Sequence, residues 1–419
     1  MTFLINGINA QEFTDNKEDD ISVLKLPDPL RLLNGIKIRK SRKWEKWRRP
    51  ELLKLFENNI YGRIPGKPDS TTFMVLEQSD DALNNKAIRK QVLMTFKKGD
   101  LELPVLILIY LPKTIGKVPV FLGYNFNGNH TIIYDSEIML TESWVKDNPS
   151  FGIINNQITE QSRGVMSERW PIEKIIDRGY GLVTVYYGDI DPDKDDFSDG
   201  IHPFFYEELQ NRPRSGEWGS IAAWAWGLTK VMDYLQEDID VDANNVIVMG
   251  HSRLGKTALW AGAIDERFAM VISNNSGCGG AALSIRKQGE TIKDINRAFP
   301  HWFSSNFKYY NFNEELLPVD QHELIALMAP RPVYIASAEE DNWADPRGEF
   351  LSAFFASKVY GLYDMKGIEN QQMPAVNCPV MNQVGYHIRP GKHGVKDYDW
   401  DQFLNFADFH LKREGLPVK

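Results

Sequence analysis

Residues 246–256 read Val-Ile-Val-Met-Gly-His-Ser-Arg-Leu-Gly-Lys, and this stretch decides the fold of the chain. Its apolar start predicts a buried strand, and the Ala- and Leu-rich run from residue 257 predicts a helix. Ser252 falls in the turn between them, two residues after Gly250 and three before Gly255. Such glycines permit a sharp turn and close helix–strand packing, which exposes a serine hydroxyl at the helix N-terminus. The pattern indicates a nucleophile elbow with Ser252 as the nucleophile.

The elbow has one irregular spacing and one alternative interpretation. Its pattern is G-x-S-x-x-G, one residue longer than the common G-x-S-x-G, and a serine before a helix can also act only as its N-cap. The preceding strand, the two glycines and the basic residues Arg253 and Lys256 favour the nucleophile. At the helix N-terminus, the N–H and guanidinium of Arg253 are expected to stabilise an oxyanion.

The rest of the sequence predicts an α/β protein around the elbow. Antiparallel strands are predicted first, at residues 72–76, 90–96 and 103–111. Five strand-like runs then alternate with helical segments, at 118–123, 181–187, 246–250, 269–273 and 333–337. This alternation is typical of βαβ crossovers, so we predict a mainly parallel sheet with helices on both faces.

The sequence favours one main domain with an N-terminal addition. Residues 1–65 are predicted to form a helical extension packed on a catalytic domain of residues 66–419. Apolar residues at three- and four-residue steps between 40 and 60 indicate an amphipathic helix, which Pro50 is expected to break or kink.

Composition excludes several classes of protein. The chain carries 48 Lys and Arg against 57 Asp and Glu, a net charge of −9, which argues against a nucleic-acid partner. No apolar run reaches the roughly 18 residues of a membrane span, and residues 1–20 lack a signal-peptide pattern. The two cysteines, Cys278 and Cys378, cannot form a disulfide framework. No ligand spacing such as H-E-x-x-H indicates a metal, and we expect no cofactor.

A serine nucleophile needs a base, and two of the eight histidines follow the last predicted strand. His387 lies among alternating apolar residues, which predicts a strand position. His393 lies between Gly391 and Gly394, in a loop that could present its ring to Ser252. We therefore predict His393 as the base and keep His387 as the alternative.

Three carboxylates after the strand at 333–337 could complete a catalytic triad. Asp345 precedes Pro346 and a helical pattern, so it has a ready role as a helix N-cap. Asp341 has no such role, and we predict it as the acid. Asp345 and Glu340 remain alternatives.

The elbow sequence also resembles a known family. Gly250-His-Ser-Arg-Leu-Gly-Lys256 is similar to the G-x-S-R-x-G-K signature of the glucuronoyl esterases, carbohydrate esterase family 15, in the α/β-hydrolase superfamily. Further similar segments follow in the same order: Ser276-Gly-Cys-Gly-Gly280, His301-Trp-Phe303, Trp343-Ala-Asp-Pro346 and Gly391-Lys-His393. The resemblance runs from residue 118 to the C-terminus and is strongest to the bacterial branch. It implies a three-layer α/β-hydrolase sandwich that hydrolyses esters between 4-O-methylglucuronic acid on xylan and lignin alcohols.

The resemblance also implies a sugar site. Trp343 matches a tryptophan that lines that site, and Lys256 matches a lysine that binds sugar hydroxyls. Glu290 and His301 are further candidates for substrate contact. Asn275 departs from the fungal members, which carry the triad glutamate at this position, so the acid must come from elsewhere in this chain.

The sequence therefore predicts a serine esterase acting on glucuronate esters through Ser252, His393 and Asp341. Its partner would be glucuronoxylan or a lignin–carbohydrate ester, with no nucleic acid or membrane involved. The chain is expected to be a monomer, and the resemblance implies a secreted or periplasmic location. The alternatives are an acetyl-xylan or other carbohydrate esterase of the same fold, or a catalytically impaired saccharide-binding relative, which Asn275 keeps open.

Overall fold

The computed structural model describes residues 24–64 and 66–411. Residue 65, the predicted domain boundary, lies outside the described residues, as do residues 1–23 and 412–419. The strands of the described residues are β1 (Ser70–Asp81), β2 (Ala87–Lys98), β3 (Leu101–Pro112), β4 (Val118–Asn125), β5 (Gly181–Tyr186), β6 (Val241–His251), β7 (Met270–Asn274), β8 (Val333–Ala338), β9 (Val380–Met381) and β10 (Val384–Arg389).

Helices of very different length connect these strands. In chain order they are α1 (Ser41–Lys43), α2 (Arg49–Phe56), α3 (Ala82–Asn85), α4 (Ile172–Asp177), α5 (Ser220–Glu237), α6 (Arg253–Ile264), α7 (Ile292–Ala298), α8 (Gln321–Ala326), α9 (Pro346–Tyr360) and α10 (Asp397–His410). Between β4 and α4 the chain forms short 3-10 turns and two isolated β-bridges, Asn148–Ile153 and Ile154–Gln157.

The strands form a single sheet in the order β1-β2-β3-β5-β4-β6-β7-β8-β10-β9. Neighbouring strands from β1 to β5 are antiparallel, as are β10 and β9. All neighbouring pairs from β5 to β10 are parallel. The predicted mainly parallel sheet with an antiparallel start is therefore confirmed.

Helices cover both faces of the sheet, and β4, β5, β7, β8 and β10 are buried along their whole length. Val120 and Leu122 of β4 belong to a core that α5, α6, α8 and α9 complete, whereas Phe121 belongs to the core under α4 and α10. Successive side chains of a strand point to opposite faces of the sheet, so β4 contributes residues to both cores. A strand buried on both faces must be apolar throughout, which explains the continuous apolar runs in the sequence. The predicted three-layer sandwich is confirmed.

The N-terminal helical segment packs into the larger core. Trp44, Phe56 and Ile60 are fully buried there. The sequence predicted that Pro50 would break or kink this helix. The predicted break is wrong, because the backbone stays helical through Arg48 and Arg49. Pro50 is the second residue of α2, and because helical turns precede it, its missing N–H leaves out one backbone hydrogen bond of this continuous segment. The preceding turn, Trp44–Arg48, is a π-helix.

A buried ion pair attaches this segment to the rest of the fold. Arg48 contacts Glu323 of α8 at 2.6 Å, and both side chains are almost completely buried. Arg48 also donates to the carbonyl of Pro29 at 3.2 Å. The division of the chain at residue 65 stays a prediction, since the described helix shares a core with the main domain.

Candidate active site

Ser252 occupies a strained turn at the carboxyl end of β6. Its φ of 59° and ψ of −128° lie outside the regions that a non-glycine residue normally adopts. A Cβ on Gly250 would lie 1.9 Å from the carbonyl oxygen of Leu254, so the turn requires glycine there. Among the described residues, the Ser252 hydroxyl caps no N–H of α6. The capping interpretation therefore has no hydrogen bond to support it, and the hydroxyl is available for chemistry.

His393 and Asp341 meet beside the elbow. Nδ1 of His393 lies 2.6 Å from Oδ2 of Asp341, 52 residues away in the chain. A carboxylate can only accept, so Nδ1 donates and Nε2 is left as the basic nitrogen. The ring centroid of His393 lies 4.5 Å from that of His251, the residue before Ser252. Asp341 is buried, whereas the His393 side chain is 44% exposed.

The alternative base, His387, has both ring nitrogens engaged in the core. Its Nε2 lies 2.8 Å from Asp399, and its Nδ1 lies 3.1 Å from the hydroxyl of Tyr334. The ring is fully buried, and burial lowers the pKa of this imidazole despite the neighbouring carboxylate. His387 is thus a strand residue of β10, as its alternating neighbours predicted.

Neither alternative acid has a hydrogen bond to His393 among the described residues. Asp345 caps α9 by accepting from the N–H of Gly348 at 2.9 Å, and Arg286 donates to it at 2.8 Å. The capping role that Pro346 suggested is therefore present. Glu340 is exposed. Of the three candidate carboxylates, Asp341 is the one with a histidine contact in the described part of the chain.

The predicted sugar contacts lie close to one another. The ammonium of Lys256 donates to the carbonyl of Ser276 and lies 3.8 Å from Glu290. Burial raises the pKa of Glu290, and the charge of Lys256 opposes that rise. The N–H of Glu290 donates to the carbonyl of Trp343 at 2.9 Å. Trp343 itself is 59% exposed, an unusual position for a tryptophan.

Arg253 and His301 meet at a residue that the sequence analysis missed. Asp193 accepts hydrogen bonds from the Arg253 guanidinium and from Nε2 of His301 at 2.9 Å. Burial lowers the pKa of His301, and its ring is buried beside Asp193. Asp193 lies in the sequence D-P-D-K-D-D of residues 191–196, which resembles a solvated acidic loop. The available signal was its position just beyond the carboxyl end of β5, where α/β sheets place ligands.

The described residues hold no group of three or more His, Cys, Asp or Glu side chains arranged for a metal ion. Cys278 is buried and Cys378 is exposed, and both are free thiols. Within residues 24–64 and 66–411, no helix has the length and apolar character that crossing a bilayer requires. The candidate site residues gather at the carboxyl ends of β5, β6, β8 and β10.

Comparison with known proteins identifies relatives over nearly the whole chain. A family model described as "Glucuronyl esterase, fungi" matches residues 129–363. The protein named Carbohydrate esterase MZ0003, from an unknown prokaryotic organism, is 51% identical over 94% of this chain and 91% of its own length. A protein of Phanerochaete carnosa named 4-O-methyl-glucuronoyl methylesterase is 27% identical over 78% of this chain and 69% of its own.

Solved structures agree with these matches. A structure described as a promiscuous CE15 esterase from the marine bacterial metagenome has a TM-score of 0.88 and 52% identity, and it covers 94% of this chain and 98% of its own. The glucuronoyl esterase from Solibacter usitatus has a TM-score of 0.87 and 46% identity, covering 92% of this chain and 97% of its own.

Proposed function

This chain belongs to the glucuronoyl esterases of carbohydrate esterase family 15, and on that premise we propose that it hydrolyses esters of (4-O-methyl-)D-glucuronic acid. The resemblance predicted from the elbow sequence is thereby confirmed, including its bacterial character. The reaction class is hydrolysis of a carboxylic ester. The names of the relatives support glucuronate as the acid half of that ester.

The observation that carries the proposal is the hydrogen bond between His393 and Asp341 beside the strained Ser252. In the mechanism, the Ser252 hydroxyl attacks the ester carbonyl and passes its proton to Nε2 of His393. Asp341 holds the imidazole through Nδ1 and stabilises the imidazolium that forms. His393 then protonates the departing alcohol. Finally it activates the water that releases glucuronate from the acyl-enzyme.

Arg253 is suited to stabilise the tetrahedral oxyanion. It is the first residue of α6, so its main-chain N–H lies directly after the nucleophile. Its side-chain Nε is buried and has no hydrogen-bond partner among the described residues. A buried donor without a partner costs free energy unless a ligand satisfies it. Loss of one such oxyanion donor typically raises the barrier by about 3 kcal/mol.

Lys256, Glu290 and Trp343 support recognition of a sugar. An ammonium and a carboxylate 3.8 Å apart supply donors and acceptors for sugar hydroxyls. The exposed ring of Trp343 offers a flat apolar face for a pyranose. Because the carboxyl of an esterified uronate is neutral, no global basic field is needed to bind it, which is compatible with the net charge of −9.

Two further proposals concern the location and the oligomeric state of the protein. Glucuronoxylan and lignin–carbohydrate complexes are too large to enter a cell, so the enzyme would act as a secreted or periplasmic protein. A monomer suffices for this chemistry, because each group in the mechanism comes from one chain.

Substrate choice is tested by comparing benzyl D-glucuronate with p-nitrophenyl acetate. We expect the wild-type protein to hydrolyse benzyl glucuronate with the higher kcat/KM and Ser252→Ala to lose roughly 10⁵-fold or more in kcat. Preference for the acetate would favour the acetyl esterase alternative, which the description of one relative as promiscuous keeps relevant. A folded wild-type protein that binds glucuronate but cleaves neither ester would be a saccharide-binding relative.

A further inference from the structure

We propose that Asp193 is a positioning residue that fixes the Arg253 guanidinium for oxyanion stabilisation. The proposal rests on the oxyanion role of Arg253 in the proposed function. Asp193 itself need not touch the substrate. It would act on the rate through the orientation of the arginine.

Four hydrogen bonds hold the Asp193 carboxylate in place. Oδ2 accepts from the Arg253 guanidinium and from the hydroxyl of Tyr187 at 3.0 Å. Oδ1 accepts from Nε2 of His301 at 2.9 Å and from the indole N–H of Trp302 at 2.7 Å. Its side chain is 7% exposed. A buried carboxylate with this many donors on both oxygens cannot rotate without breaking hydrogen bonds, so it is a fixed anchor.

Aromatic rings restrict the remaining freedom of the arginine. The guanidinium carbon lies 4.6 Å from the ring centroid of Trp302 and 5.4 Å from that of Phe299. These two rings stack on each other at 3.6 Å. Phe126, at the end of β4, lies 5.9 Å from the same carbon. The aromatic rings restrict the tilt of the planar guanidinium. The hydrogen bond to Asp193 restricts its rotation within its own plane.

The anchored arrangement explains why Nε of Arg253 is left unpartnered. The guanidinium contacts Asp193 through Nη1, and its carbon lies 4.6 Å from the ring centroid of Trp302. Its Nε is buried and has no hydrogen-bond partner among the described residues. Catalytic donors work best when they are oriented before the charge develops, because no reorganisation is then needed. Without Asp193 the buried guanidinium would turn toward other acceptors, and this pre-orientation would be lost.

The test is a double-mutant cycle of Asp193→Asn and Arg253→Met, read as kcat and KM. Asparagine keeps the shape of the side chain but replaces one acceptor oxygen by a donor. In the wild-type background, Asp193→Asn should lower kcat roughly 10- to 100-fold while KM changes less than about threefold. In the Arg253→Met background it should have no further effect. Asp195→Asn, an exposed neighbour in the same loop, is the matched control and should retain full kcat.

A second variant guards against a folding defect. Trp302→Phe keeps an aromatic ring under the guanidinium but removes the N–H that donates to Asp193, and it should lower kcat roughly 3- to 10-fold. The proposal is overturned if Asp193→Asn retains normal kcat, or if it lowers kcat equally in both backgrounds, which would mark a structural role.

The cycle is measured with both p-nitrophenyl acetate and benzyl glucuronate. Every ester forms an oxyanion, so the acetate tests Asp193 even if glucuronate is not the substrate. Failure of the proposed function would therefore show as loss of glucuronate turnover with an intact cycle on acetate.

Discussion

The side-chain amide of Asn275 donates to Oδ2 of Asp341 at 2.8 Å, on the same oxygen that His393 contacts at 2.6 Å. Asn275 is buried, and the resemblance to the fungal family members implies a glutamate at its position. An amide cannot supply the negative charge of that acid, but its N–H₂ can orient a carboxylate from a neighbouring strand. Asn275 was the residue that left open a catalytically impaired relative. In the structure it hydrogen-bonds to Asp341, the carboxylate predicted as the triad acid.

Asn275→Gly should lower kcat, because it removes the amide that orients the Asp341 carboxylate. Glycine tolerates the φ of 46° at this position, so the backbone conformation is kept. Loss of one hydrogen bond to a charged group should lower kcat roughly 10-fold. Steady-state kinetics on benzyl glucuronate measure the change, and a wild-type kcat in Asn275→Gly would refute the role of this contact.

Arg389→Met should loosen the loop that carries His393. The Arg389 guanidinium donates to the carbonyls of Pro390 at 2.8 Å and Gly394 at 2.7 Å, and its Nε donates to Asp399. Removal leaves Asp399 buried without its cation, so the free energy of unfolding should fall by about 3–5 kcal/mol. Urea denaturation measures this loss. Hydrogen exchange of residues 390–396 should quicken at the same time.

The exposed neighbour Lys392→Met is the control for this variant and should leave both measurements unchanged. Unaltered exchange in Arg389→Met would show that the arginine does not restrain the loop. A fall in stability without faster exchange would assign Arg389 to the core alone.

Glu349→Gln should flatten the dependence of stability on pH. Burial raises the pKa of Glu349 to about 8 from 4.5, although Ser337 and two backbone N–H groups donate to it. The unfolded chain releases this proton at lower pH than the folded chain, so the wild type loses stability as pH rises from 4.5 through 8. Glutamine keeps an acceptor for the N–H groups and carries no titrating proton.

Melting temperatures between about pH 5 and about pH 9 test this prediction. The decline should be shallower in Glu349→Gln than in wild type, whereas the exposed Glu340→Gln should follow wild type. A variant whose decline is as steep as that of wild type would show that another buried acid sets the slope.

Local sequence patterns were enough to predict much of the fold and several residues of the candidate site. Three features depend only on residues within one turn or one strand: the elbow, the strand–helix alternation and the N-cap at Asp345. They can therefore be predicted without knowledge of tertiary contacts. The two histidines can be told apart for the same reason. Alternating apolar neighbours indicate that His387 is in a strand, and flanking glycines indicate that His393 is in a loop. The prediction of Asp341 followed from the local role of Asp345 and from the resemblance to bacterial family members, some of which carry an acid two residues before the tryptophan.

Long-range contacts explain what the sequence did not reveal. Asp193 is 60 residues from Arg253 and 108 from His301, so no spacing links it to either. Asn275 was interpreted only as a missing acid, because its contact with Asp341 spans 66 residues. The path of the helix through Pro50 also depends on tertiary context, since Arg48 on the preceding turn is fixed by Glu323.

The proposed triad of Ser252, His393 and Asp341 is tested by measuring kcat on benzyl glucuronate for Asp341→Ala and Asp345→Ala in parallel. We predict that Asp341→Ala loses roughly 10³- to 10⁴-fold in kcat, because the imidazole loses its orienting charge. Asp345→Ala removes a helix cap and the partner of Arg286, so it should lower the melting temperature and keep kcat within about threefold. Near-wild-type kcat in Asp341→Ala together with loss of activity in Asp345→Ala would contradict the account.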